Sequence, residues 1–493
     1  MSDDEKIGQL LFVGFSGVVD SSELRQLVSD RHVGGIVFYA KNIESPEQVK
    51  ILADAIKRYG GRKAAPFIAI DQEGGIVRRF RLGVPVIPSA MAIGATRSPE
   101  LARRAGAAVG SALRELGFTM NFAPVLDVLT VQSNSSIGTR AFGSDAKLVA
   151  DLGAAFIEGQ QSAGVIAVGK HFPGIGGVAE DTHKTLPRLD ASLDELRRRE
   201  LLPFRRAADI GLEAVMIGHI ALPRLAEHAD LPVTLSKRAT TTLLRQELRF
   251  DGIAITDALQ MDALARKRGA AALAIEALYA GSDMVLMLGG DAQRDEVLVA
   301  LRAAYRHGRL PKARVHQALR RILRVKMTLA AKPFSAPGSD GVVEEIARRA
   351  VTRVGSIRQL QAIPDLHSRL LYVGPDGTIH RRLGTASVHL MPARPDRTDV
   401  SRVALIAASM KNASLCIAAA ATQEQFEVIR DAHKRSPNTP LVFVNLGSPH
   451  RILQGERSVT LLTYADDDAS QLAAVRVILG EAEASGVAPV VLP

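Results

Sequence analysis

Eight short apolar runs punctuate the first part of the chain, at 10–15, 35–39, 67–70, 119–124, 165–168, 214–217, 252–256 and 284–288. Each is bounded by polar or glycine-containing sequence, the pattern of strands buried on both faces. Most are separated by longer stretches with apolar residues at three- and four-residue intervals and charges between, clearest at 99–116 and 193–210. That spacing predicts amphipathic helices. Ser98 before Pro99 and Ser192 before Leu193 predict helix caps, the second with Glu195 placed to complete a capping box. Strands that alternate with helices pair in parallel through right-handed crossovers. Eight such units in about 290 residues predict a closed (β/α)8 TIM-type barrel rather than an open sheet.

Residues 291–330 read as two strongly basic helices that close a barrel domain spanning 1–331. The segment 332–341 holds two prolines, two glycines and two serines, a linker composition. From 342 a helix to 353 is followed by renewed alternation: apolar runs at 370–373, 415–420, 441–446 and 460–464, and helical spacing at 423–433 and 469–479. This predicts a smaller open-sheet α/β domain over 342–493, with 379–398, which carries arginines and prolines, as a loop.

Composition narrows the class. The 493 residues are 47% hydrophobic and 23% charged, the balance of a globular chain with a large core. Against 62 Lys plus Arg stand 52 Asp plus Glu, a net +10, but the basic residues are spread without a long block. That leaves room for an anionic ligand and speaks against a nucleic-acid tail. The single cysteine, Cys416, excludes an internal disulfide framework and a thiolate-rich metal site. Residues 1–6 carry three acidic residues and one lysine, unlike a secretory signal, and no window approaches the roughly 20 apolar residues of a membrane span. The expectation is a cytoplasmic protein with no membrane span.

A barrel carries its chemistry on the loops after its strands. Five of the eight expected strand ends deliver a charged or imidazole side chain: Asp71-Gln72-Glu73-Gly74-Gly75 after the third, Asp127 and then Arg140 after the fourth, Lys170-His171 at the fifth, Gly218-His219 at the sixth and Thr256-Asp257 at the seventh. The richest segment runs from Lys170 to Pro187. Three glycines within 174–177 predict a mobile loop, and without a Gly-Lys-Ser/Thr ending it is not a nucleotide loop. Within it, Asp181 and His183 stand two apart, near enough for the carboxylate to fix the imidazole tautomer and make a general acid/base. Read alone, an Asp-x-His in a loop is more simply a surface turn. Asp257 emerges from an apolar strand, the rigid setting a nucleophile needs, although it could equally cap the helix that begins at Ala258. His171, His183 and His219 lie on different loops beside Lys170, so no metal site and no cofactor is expected.

Together these segments resemble glycoside hydrolase family 3, in its β-N-acetylglucosaminidase branch. The resemblance rests on Lys170 to Pro187, Asp71 to Gly75, Asn121-Phe122-Ala123-Pro124-Val125-Leu126-Asp127-Val128, Ile137-Gly138-Thr139-Arg140-Ala141-Phe142-Gly143 and Phe250 to Met261, in the expected order over about the first 330 residues. It implies a retaining hydrolase with Asp257 as nucleophile and His183, paired with Asp181, as acid/base. Asp71, Arg140, Lys170, His171 and His219 would hold the sugar. The implied substrate is a carbohydrate ending in β-linked N-acetylglucosamine, such as a muropeptide from cell-wall recycling; a β-glucosidase, a glycoside phosphorylase or a non-catalytic sugar-binding protein are the alternatives. The chain departs from the family pattern at Ile175, Gly177 and Val178, where a second His, an Asp and a Thr are common, and Glu180 is a lower-ranked acid. These departures bear on the shape and closure of the loop.

Overall fold

The computed structural model describes residues 1–61, 65–80, 82–180, 185–261, 264, 269–331, 340–355, 369–385, 387–396, 400–453 and 455–493. Its first eight strands are β1 (Leu11–Gly14), β2 (Gly35–Phe38), β3 (Phe67–Ile70), β4 (Met120–Asn121), β5 (Ile166–Phe172), β6 (Ala214–Ile217), β7 (Ile253–Ala258) and β8 (Met284–Met287). They are hydrogen-bonded in sequence order and close on themselves, every pair parallel. This is the expected (β/α)8 barrel. Its interior is packed with side chains: Phe12 stacks on Phe67 and meets Phe122 edge-on. Gly35, opposite Phe12 in the β1–β2 register, has room for no Cβ, which would lie 2.5 Å from the Phe12 ring. Each fully buried ring of this kind contributes about 1.5–3 kcal/mol.

Two interruptions in the strand register place the chemistry. The β5–β6 pairing shifts between Gly169 and Phe172, and the β7–β8 pairing between Ile255 and Ala258. Such irregularities re-aim side chains at strand ends. The first encloses Lys170 and His171, the second Asp257.

The helix expected over 193–210 is two helices, Leu193–Arg198 and Leu201–Asp209. Pro203 explains the break: it has no N–H to donate to the carbonyl of Arg199, and its ring crowds that position. The Ser192–Glu195 capping box is present as read.

The chain divides into two compact units, one of Met1–Glu73, Val77–Val86 and Ala102–Asp340, the other of Gly74–Ile76, Ile87–Leu101 and Gly341–Pro493. The second unit is built on a six-stranded sheet of β9 (Thr352–Val354), β10 (Leu370–Gly374), β11 (Ser387–Leu390), β12 (Leu415–Ala420), β13 (Leu441–Asn445) and β14 (Ser458–Leu462). The order is β11-β10-β12-β13-β14-β9, parallel except for β9. Cys416 is buried in β12. The helix Ala90–Thr96 belongs to this unit: Ser89 Oγ donates to the Tyr464 carbonyl at 2.7 Å, and Val487 N–H donates to Ala95 O at 2.9 Å.

Two expectations for this region fail. The stretch 379–398 is not simply a loop, because it holds most of the helix Thr378–Leu383 and all of β11. As a partly exposed edge strand, β11 has no apolar run to announce it. The helix expected to reach 353 stops at Ala350 and gives way to β9, the antiparallel edge. Of the expected linker, 332–339 lies outside the described residues. Among the described residues, no helix is long and apolar enough to cross a membrane.

Candidate active site

A cavity of about 310 Å³ opens where the barrel strands end. Tyr39 reaches it from the end of β2, Asp71 and Glu73 from β3, Lys170 and His171 from β5, and Asp257 from β7, with Arg79 and Arg140 on the loops between. Apart from Ser136, its remaining wall is apolar and includes Phe122, Ile175, Met216, Met261, Leu286 and Leu288.

The polar wall is a chain of ion pairs. Lys170, only 2% exposed, donates to Asp71 at 2.7 Å and to Glu73 at 2.6 Å. Arg140 grips the same Glu73 with two bonds of 2.8 Å, and its Nη1 donates to the Ser136 carbonyl. Burial works against each charge, but the partners prevail. Glu73 is held far below the ordinary carboxylate range by Arg140 and Lys170, and Lys170 is raised by Asp71 and Glu73. Arg79 stands 3.6 Å from Asp71 with its guanidinium over the Tyr39 ring. Burial, aided by Asp71 and Asp257, raises the Tyr39 phenol, which therefore stays neutral as a donor.

His171 is oriented from below. Its Nδ1 lies 2.8 Å from Asp127, a fully buried carboxylate that also accepts from the Ile175 N–H at 2.7 Å. With Nδ1–H given to Asp127, Nε2 is the free acceptor, 3.5 Å from Arg140. Asp257 accepts from the Ala258 N–H at 2.7 Å. Burial alone would raise its pKa, but His219, His171, that hydrogen bond and Lys170 together lower it below the ordinary value. An ionised carboxylate is thus fixed at a strand end, beside donors arranged for hydroxyl groups and facing an apolar wall. That combination suits attack on a carbon of a polar ring with one hydrophobic face.

Residues 2–325 match the model described as the glycosyl hydrolase family 3 N-terminal domain. The chain belongs to glycosyl hydrolase family 3, and it is a glycoside hydrolase. It is similar to a β-hexosaminidase of Pseudomonas aeruginosa, 39% identical over 293 residues that cover 59% of this chain and 86% of that protein. Among solved structures, a family 3 β-N-acetylglucosaminidase from Paenibacillus sp. str. FPU-7 matches 100% of this chain and 99% of its own, with a TM-score of 0.90 and 30% identity. NagZ from Neisseria gonorrhoeae, in complex with N-trifluoroacetyl-D-glucosamine, matches 68% of this chain and 92% of its own, with a TM-score of 0.56 and 28% identity.

Within this family 3 barrel, Asp71, Arg140, Lys170, His171 and Asp257 converge on one cavity. Asp181 and His183 lie outside the described residues; Glu180, just before them, is exposed. His219 stands apart from the rest. It is 1% exposed and does not line the cavity; its Nδ1 meets Thr234 Oγ1 at 2.7 Å and its Nε2 the Ala258 carbonyl at 3.1 Å, and it bears on the site through its electrostatic effect on Asp257.

The segment 174–177, expected to be mobile, is buried up to Gly176, half-buried at Gly177, and bonded. Gly176 O accepts from Thr130 and Val131 N–H, Ile175 O accepts from Asn134, and a Cβ on Gly176 would lie 2.2 Å from the Val128 carbonyl. The glycines here permit close approach of two backbones rather than flexibility. Ile175, one of the departures from the family pattern, lines the cavity.

Glu73, Arg79, Tyr39 and Asp127 were not among the expected site residues, although Asp127 was read as a strand-end charge. Glu73 and Asp127 stood within strand-end motifs, and a buried carboxylate two residues from Asp71 was the available signal. Tyr39 ends the second apolar run, a strand-end position that was its available signal; for Arg79 the sequence carried none.

Proposed function

We propose that the protein is a retaining, exo-acting β-N-acetylglucosaminidase that removes terminal β-linked N-acetylglucosamine. Its natural substrate in this reading is a fragment derived from peptidoglycan, processed in the cytoplasm. The observation that carries it is Asp257, an ionised carboxylate fixed at the end of β7 in the cavity that Asp71, Lys170, Glu73 and Arg140 also line. The names of the Paenibacillus and Pseudomonas relatives support the choice of sugar.

In the first step Asp257 attacks the anomeric carbon and the glycosidic C–O bond breaks. Protonated His183, oriented by Asp181, gives its proton to the departing oxygen. In the second, neutral His183 takes a proton from water, whose oxygen attacks the same carbon and displaces Asp257, so both groups return to their starting states. Asp71, Arg140, Lys170 and His171 hold the sugar's hydroxyls and acetamido group, with hydrogen bonds that tighten at the transition state. His219 helps keep Asp257 ionised while bonded to the Ala258 carbonyl.

The test is release of nitrophenol from the β-N-acetylglucosaminide and the β-glucoside, each with and without phosphate. Phosphate-independent turnover of the first is expected. No turnover of either overturns the enzyme assignment, preference for the glucoside moves the activity to a β-glucosidase, and dependence on phosphate moves it to a phosphorylase. Asp257→Ala should abolish activity, and His183→Ala should lose mainly substrates with poor leaving groups.

A further inference from the structure

The reaction as written leaves Tyr39 without a task, although its side chain lines the cavity. Tyr39 follows β2 directly and is tied at both ends. At the backbone, its N–H donates to Asn42 Oδ1 at 3.0 Å and its carbonyl accepts from the Asn42 N–H at 2.8 Å. Asn42 is itself fully buried and donates from Nδ2 to the carbonyls of Phe15 at 3.1 Å and Gly17 at 2.9 Å. At the ring, the Arg79 guanidinium lies 5.7 Å from the centroid, and the Arg79 backbone N–H is anchored on Gln72 Oε1 at 2.8 Å. A group held in this way costs little to order when a ligand arrives.

The hydroxyl, by contrast, is unclaimed: it makes no hydrogen bond among the described residues. Asp71 and Asp257, both on the cavity wall, nevertheless act on it and oppose its ionisation, so it stands within the field of the two carboxylates. Lys170 and Arg140 are already engaged by Asp71 and Glu73. A carboxylate can only accept, whereas a sugar hydroxyl that donates to one keeps lone pairs in need of a donor. A neutral phenol beside Asp71 supplies that donor in a fixed direction. We propose that Tyr39 is a substrate-binding, specificity-determining residue, its hydroxyl donating to a hydroxyl of the terminal sugar on the Asp71 side of the cavity. This rests on the reading of the cavity as the seat of that sugar. A site that bonds a hydroxyl rejects the analogue lacking it, because its own polar group is then left unpaired.

The experiment crosses Tyr39→Phe, which keeps the ring beside Arg79 and removes only the oxygen, with nitrophenyl N-acetylglucosaminide and its 3-, 4- and 6-deoxy forms. Loss of one neutral hydrogen bond should cost roughly 3- to 10-fold in kcat/KM. That loss should appear on the parent substrate and on two of the deoxy forms, and should vanish on the third, whose missing hydroxyl is the partner of Tyr39. No loss on the parent, or the same loss on the parent and all three deoxy forms, overturns the proposal. Calorimetric binding of N-acetylglucosamine and its deoxy forms repeats the cycle without turnover. A wild type that binds the sugar but turns over no aryl glycoside overturns the enzyme assignment and leaves Tyr39 to be judged by the same pattern in affinity. A wild type that binds none of these sugars overturns both.

Discussion

Glu73→Gln measures the group on which the electrostatics of the cavity turn. The Glu73 carboxylate takes two bonds of 2.8 Å from Arg140 and one of 2.6 Å from Lys170. Glutamine keeps the shape, removes the charge and turns an NH2 group toward a cation. Breaking a buried pair by removing one partner costs about 3–5 kcal/mol, because the other charge is left buried without compensation. Asp71 still holds Lys170 at 2.7 Å, so the expected loss is the lower end, about 3 kcal/mol.

Urea unfolding followed by far-UV circular dichroism reads it, since the chain has no tryptophan. The sign of its pH dependence follows from the depressed pKa. Arg140 and Lys170 hold the folded-state value far below the ordinary 4.5. The stabilisation is therefore fully present above the unfolded-state value and is lost as pH falls through the folded one. The gap between wild type and Glu73→Gln should be constant above about pH 5 and shrink in acid. Activity should fall as well, by roughly 100-fold if Arg140 and Lys170 move by about 1 Å. A gap below about 1 kcal/mol at neutral pH, or one that widens in acid, would refute the reasoning, because the pair would then behave as a screened surface contact.

Asp127→Asn should lower kcat/KM by about 10-fold or more, through loss of the charge that fixes the His171 tautomer; unchanged kinetics would show that His171 needs no such partner. Because Asp257 is held below the ordinary carboxylate value of 3.8, the acid limb of kcat/KM should fall below that pH, and a limb above it would contradict the lowered pKa. Lys326, whose ammonium donates to Gln9 at 2.7 Å and lies over the Phe67 ring, is pulled down by burial from 10.5 to about 7. The folded state therefore resists a charge that the unfolded chain carries, and stability should rise between about pH 7 and 10 by no more than about 4 kcal/mol, less the screening of a partly exposed side chain. Lys326→Met should flatten that rise, seen in melts across the range, and a rise left intact would exclude Lys326 as its source. A fragment of residues 342–493 lacks Ser89 and the helix Ala90–Thr96, so it should melt without a cooperative transition; a sharp transition would show that these segments are dispensable.

The barrel was legible because parallel strands buried on both faces read as apolar runs, and six of the eight runs match a strand to within about two residues at each end, while the fifth covers only the first three residues of β5. The fourth contains only the two paired residues of β4. Elements whose signals are not apolar were missed. The edge strand β11 is partly exposed, β9 is three residues long, and a single proline divides a well-formed amphipathic pattern into two helices. In the site, the strand-end residues could be read from position alone. The pairings could not: Glu73 meets partners 67 and 97 residues further along the chain. Nor does sequence distinguish a glycine that frees a loop from one such as Gly176, which lets it pack against a neighbouring backbone.

The same geometry revises what the net charge of +10 means. The cavity wall carries Asp71, Glu73 and Asp257 against Arg79, Arg140 and Lys170, three carboxylates to three cations. Arg140 and Lys170 are bound to carboxylates already, and Arg79 lies against Asp71. The basic excess therefore lies elsewhere on the chain, and among the described residues the cavity is not built to attract an anion. Carboxylates fixed in the wall suit the opposite event. As a glycosidic bond breaks, positive charge develops on the sugar ring, and carboxylates fixed before the reaction stabilise it without reorganising.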